Sequence, residues 1–103
     1  MLRVLNIRTC PGRKVPASAV YIGRGFTRGR YRLVESRWKN PFEIVRDGTR
    51  SEVIAKHRAW LCDQPDLMAA LPELRGHDLV CWCAPDACHG DTLIQMANAR
   101  GRD

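Results

Sequence analysis

The chain has 103 residues, 45% of them hydrophobic and 27% charged, an ordinary globular composition that argues against disorder. That length suits one domain over residues 1–103 with a modest core that needs no disulfide staple. No apolar run approaches the roughly 20 residues of a membrane span. The first 13 residues also lack the apolar stretch and cleavage pattern of a secretory leader, so a cytoplasmic protein without membrane contact is expected.

The formal charge of +6 is unevenly placed. Residues 1–50 carry 12 Lys and Arg against 3 acids, and residues 51–103 carry 5 against 8. Ten of the twelve are arginines, whose forked guanidinium groups match phosphate oxygens, so a nucleotide or nucleic acid is the expected partner. The bland alternative is a solvated basic face that keeps the protein soluble. Five cysteines, an odd number, favour free thiols or metal ligation in a reducing compartment over a disulfide framework.

In chain order, residues 2–7 alternate apolar and polar with Val4 and Ile7 among them and predict a strand. A Pro-containing loop follows, then a second strand over residues 19–22 that ends at Gly23. Residues 24–40 have no clear period and predict a long basic loop, with a short extended piece around Tyr31–Val34. Thr49 with Glu52 three residues on is a capping box, and Val53, His57, Trp60 and Leu61 mark one face of the helix it opens, ending near Asp63. Pro65 starts a shorter helix that carries Leu67, Met68 and Leu71. Residues 77–83 predict a third strand, residues 84–87 a Pro-Asp turn, and residues 88–99 a final helix.

Strands at both ends with two helices between the second and third predict a small α/β domain of two or three layers. Its sheet would be short and partly parallel, with about three helices. In such sheets ligands bind beyond the carboxyl ends of the strands. The loops after Ile7, Ile22 and Cys83 would then converge on one site.

Residues 81–91, CWCAPDACHGD, carry the densest chemistry. Cys81, Cys83, Cys88 and His89 supply the four ligands a structural zinc needs, so zinc is one reading. Against it, residues i and i+2 on a flat strand lie roughly 7 Å apart, too far for thiolates about 2.3 Å from one ion. In a second reading, strand, turn and helix start place Cys88, His89 and Asp91 as reacting groups at an anion-binding helix terminus, with Gly90 contributing a free amide. In a third, the cysteines are small core residues and His89 and Asp91 cap a helix. The second reading is preferred, with no resident cofactor.

The segments VLNIR, VYIGR, WKNPF and LVCWCAPDACHGDTL together resemble family 4326 of the domains of unknown function, small proteins of phages and bacteria. The likeness spans nearly the whole chain. Where the family pattern places Gly before Asn40, this chain has Lys39. The resemblance implies kinship and brings no activity with it.

The expected ligand site therefore joins Asn6, Arg8, Gly23, Arg24, Trp38, Asn40, Cys83 and Gly90, with Cys88, His89 and Asp91 at its reacting end. The expected function is binding of a nucleotide or nucleic-acid phosphate. The alternative is a noncatalytic nucleic-acid-binding or adaptor module in which the Cys/His segment is structural. His57 is expected to be a packed histidine and not a ligand.

Overall fold

The three strands are short, and all run the same way. In the computed structural model, which describes residues 3–99, β1 is Val4–Asn6, β2 is Ala19–Tyr21 and β3 is Asp78–Cys81. β3 lies in the middle and pairs with both neighbours in parallel, Leu5 opposite Val80 and Val20 opposite Leu79. The sheet is thus fully parallel where the sequence indicated a partly parallel one. A central strand must be apolar on both faces, and Leu79, Val80 and Cys81 are all buried.

The two faces are covered differently. Leu79 and Cys81 belong to the larger core, which receives Leu61 from α1 (Arg50–Cys62), Ala70 from α2 (Pro65–Ala70) and Leu93 and Ala97 from α3 (His89–Ala99). Val80 faces the opposite side, where Ile7, Cys10 and Leu33 cover it. All three helices therefore share one core, and turns and the basic loop close the other face.

Local chemistry sets the element ends. The strand predicted over residues 2–7 stops at Asn6, whose side chain accepts from the Arg8 amide at 2.9 Å and turns Ile7–Thr9 into a 3-10 helix. α1 starts as its capping box predicts: Thr49 Oγ1 accepts from the Glu52 amide and Glu52 Oε1 from the Thr49 amide. Val53, His57 and Leu61 face inward, with Trp60 half-buried beside them. α3 begins one residue later than predicted, because Cys88 takes the capping place. Its sulfur accepts from the Gly90 amide at 3.2 Å, and Asp91 Oδ2 accepts from the Cys88 amide at 3.0 Å.

The basic loop is more ordered than its sequence suggested. Phe26 and Leu33 form an antiparallel bridge with both hydrogen bonds at 2.9 Å, and the Ser36 amide donates to Gly23 O to close the base. Gly29, at φ 58°, makes the tight turn at the tip. Phe26, Tyr31 and Trp82 then pack edge-on or tilted, with ring centroids 4.9–5.5 Å apart.

Candidate functional site

Two of the three strand-end loops converge, those after Ile22 and after β3, while the loop after Ile7 contributes nothing to the cavity wall. Beyond Tyr21 and Cys81 lies a cavity of about 480 Å³, walled by the start of the basic loop (Gly23 to Phe26), by residues 39–44, by the first turns of α1 and by the cysteine segment. This is the crevice outside the carboxyl ends of parallel strands where open α/β sheets bind ligands. Arg24, Lys39 and Arg50 bring positive charge to it, and Phe26, Phe42 and Trp82 bring aromatic surface.

Each cation is held in place by its surroundings. Arg24 Nη2 donates to Asn40 O at 2.9 Å, which joins the two ends of the basic loop. Lys39 pairs with Glu35 at 3.2 Å. Arg50, the first residue of α1, donates to Ala87 O at 3.0 Å and stands 3.9 Å from Asp86, so it bridges the helix start to the cysteine turn. A cation in the first turn opposes the helix dipole, which marks Arg50 as placed for something other than helix stability.

At the cavity floor the sulfurs gather. The Cys81 and Cys88 sulfurs are 3.3 Å apart, and the Cys83 amide donates to Cys81 Sγ at 3.4 Å. The flat-strand spacing argument fails here because β3 ends at Cys81 and the chain folds Cys83 back over it. The neighbouring Cys81 and Cys88 thiols, with Arg50 adding its charge, push the Cys83 thiol well below its ordinary pKa. The same contacts and burial push Cys88 up. Cys83 is thus the most readily ionised thiol of the cluster, and it is also its half-buried member, while Cys81 and Cys88 are 2% and 3% exposed.

His89 lines the cavity, but its Nε2 is 2.8 Å from Ile22 O and must donate there, which fixes the tautomer. Burial lowers its pKa, which disfavours the charged ring. Among the described residues, no group of three or more His, Cys, Asp or Glu side chains is arranged to hold a metal ion.

Of the residues expected to form the site, the structure brings together Gly23, Arg24, Asn40, Cys83, Cys88 and His89. Asn40 contributes only its backbone and position, since its amide donates to Val53 O and accepts from the Phe42 amide. The others stand outside the cavity. Asn6 Nδ2 holds Trp82 O and Ala84 O at 3.1 and 2.8 Å and braces the cysteine segment from behind. Arg8 lies over the Trp82 ring at 5.4 Å. Trp38 is core, 4% exposed. Gly90 is a packing position: a Cβ there would meet Ile22 Cδ1 at 2.8 Å and Val4 Cγ2 at 2.9 Å. Its amide and that of Cys88 are already bonded, so these two donors of the α3 start are not free for an anion. Asp91 is exposed and acts as the cap.

Sequence reasoning did not place Arg50, Phe26, Phe42 or Trp82 in the site. Arg50 left a signal in its charge at the wrong end of a well-capped helix, and Phe42 and Trp82 in their places within WKNPF and CWCAPDACHGD, whereas Phe26 left none.

Comparison with known proteins adds kinship. An uncharacterized protein of Acanthamoeba polyphaga mimivirus is 36% identical over 85 residues, 75% of this chain and 65% of the viral protein, so the chain spans just under two thirds of that relative's length. No solved structure matches. The family profile described as Domain of unknown function (DUF4326) matches residues 5–99, and the chain belongs to that family.

Proposed function

We propose that the cavity binds a nucleotide or the phosphate-bearing end of a nucleic acid. The observation that carries this reading is the meeting of three cations and three aromatic rings around one strand-end crevice of about 480 Å³. That volume lies within the range of small-molecule sites. Arg24, Lys39 and Arg50 would neutralise the phosphate, Arg24 and Arg50 through planar forks. Phe26, Phe42 and Trp82 offer faces and edges for a base, a contact that tolerates any base because each has a π-face. Gly25 lets the two arms of the basic loop close on each other beside the cavity: a Cβ there would stand 3.3 Å from the Glu35 amide.

Isothermal titration of purified protein with nucleoside monophosphates tests it. Wild type should bind, and Arg50→Ala and Arg24→Ala should each weaken binding by about tenfold, the cost of roughly 1.4 kcal/mol for a lost charge-assisted contact. Equal affinity of both variants and wild type would defeat the proposal.

A second reading is favoured by one further observation. Arg28, Arg30 and Arg32 are exposed on the loop whose Phe26 also lines the cavity. A single-stranded nucleic acid held there would bind with little sequence preference, and its affinity would fall steeply with salt. Replacing those three arginines with Ala should abolish oligonucleotide binding while leaving nucleoside monophosphate binding intact.

A further inference from the structure

We propose that Cys81, Cys83 and Cys88 form a thiol–disulfide exchange site that accepts a soluble, anionic disulfide through the cavity. Three features of position support this. All three cysteines line the cavity, but Cys83 is the half-buried one and the most reachable, whereas Cys81 and Cys88 are almost fully buried. The Cys81 and Cys88 sulfurs are 3.3 Å apart, about 1.3 Å beyond the roughly 2.05 Å of a disulfide bond, so a small side-chain adjustment closes it. Backbone amides of Cys83 and Gly90 point at the Cys81 and Cys88 sulfurs and stabilise negative charge as each becomes a thiolate. Exposed Cys62 and buried Cys10 lie outside the cluster.

The roles divide by access. The Cys83 thiolate attacks one sulfur of the small disulfide; its S–S bond breaks, and one half leaves as a thiolate that solvent protonates. The other half remains on Cys83 as a mixed disulfide. Cys88 then loses its proton to solvent and attacks the Cys83 sulfur, expelling the second half, which is protonated in turn. Cys81 next loses its proton and attacks the Cys88 sulfur. Cys83 departs as a thiolate and a Cys81–Cys88 disulfide remains. The small disulfide gains two electrons and two protons, and the protein dithiol loses them. Arg24, Lys39 and Arg50 favour a disulfide that carries carboxylates. Exchange does not require that a nucleotide bind, so its failure would leave the binding reading untouched.

The test uses the full chain with Cys62→Ser, which removes the exposed thiol, and oxidised glutathione as the probe. After treatment, quenching by alkylation and peptide mapping, the expected product is a Cys81–Cys88 disulfide without a glutathione adduct. Cys88→Ser should retain glutathione on Cys83, and Cys83→Ser should oxidise at least about tenfold more slowly. With all three cysteines present and limiting oxidised glutathione, the first adduct trapped should lie on Cys83, a measurement that needs no cluster variant to fold. Oxidation of Cys83→Ser at the parent rate, or first trapping on Cys81 or Cys88, would overturn the proposal. So would stoichiometric zinc in protein purified without chelator, if it shields the three thiols from glutathione.

Discussion

Lowering the pH should destabilise this protein through one buried side chain. His57 is 0% exposed, and no group among the described residues hydrogen-bonds either of its ring nitrogens. Its ring meets His89 at 4.9 Å and Trp60 at 5.8 Å between centroids. Burial, and then the charge His89 would carry, lower its pKa from 6.5 to about 4. The unfolded chain therefore takes up a proton near pH 6.5 that the folded chain resists until about pH 4. Stability from this group is complete above pH 6.5 and is lost as pH falls through that window. A depression of about 2.5 units, at 1.36 kcal/mol per unit, gives a loss of about 3 kcal/mol by pH 4. That is a large share of the roughly 5–15 kcal/mol that holds a domain folded. His89, also depressed by burial, acts in the same direction. The assay is urea unfolding of wild type and His57→Leu at about pH 7, 5.5 and 4. Leu fills the site without a polar atom in need of a partner, so at pH 7 the two should agree within about 1 kcal/mol. At pH 4 the variant should have lost about 3 kcal/mol less than wild type. The exposed carboxylates Asp47 and Glu52, whose pKa values their hydrogen bonds lower, also cost stability in acid, but equally in both proteins. Parallel losses in wild type and His57→Leu would refute the reasoning.

Three further outcomes follow from the site's scaffold. Gly90→Ala should destabilise by about 1–3 kcal/mol in urea unfolding, because the new methyl is driven against Ile22 and Val4, side chains of two different strand segments. Asn6→Ala removes the two donors that hold Trp82 O and Ala84 O, and should cost about 2 kcal/mol and raise amide exchange across residues 82–84. Asp91→Ala should cost about 1 kcal/mol through the lost cap. It should leave nucleotide affinity unchanged, an outcome that would separate a capping carboxylate from a reacting one.

How much of this was legible beforehand depended on the range of the interaction. Where a signal is local, the sequence carried it. Thr49 and Glu52 announced α1 three residues apart, and the order of strands and helices announced an α/β fold with the loops on one edge. Strand ends were overrun, at Ile7 and at Trp82–Cys83, because what stops them is not in the local pattern. Asn6 ends β1 by bonding its side chain to the next turn, and it reaches across 76 residues of sequence to brace the segment after β3. The cavity was half visible for the same reason. Arg24, Phe42, Trp82, Cys83, Cys88 and His89 lie in recognisable motifs, but only the fold shows that those segments, with Phe26, wall one cavity. The helix-terminus anion site failed on a local detail that spacing hides. Asp91 Oδ2 takes the Cys88 amide and Cys88 Sγ the Gly90 amide, so in the proposed binding mode the positive charge comes from Arg24, Lys39 and Arg50 instead.

The claim that the strand-end cavity is the binding site is tested most directly by an amide NMR titration with a nucleoside monophosphate, using inorganic phosphate in parallel. The predicted result is saturable shifts at Gly25, Arg50 and Ala87, which wall the cavity, with Gly12 and Gly76 unmoved. The Arg50→Ala protein should show the same pattern only at about tenfold higher ligand. Shifts absent from the cavity walls at millimolar nucleotide, or confined to Arg28–Arg32, would contradict it.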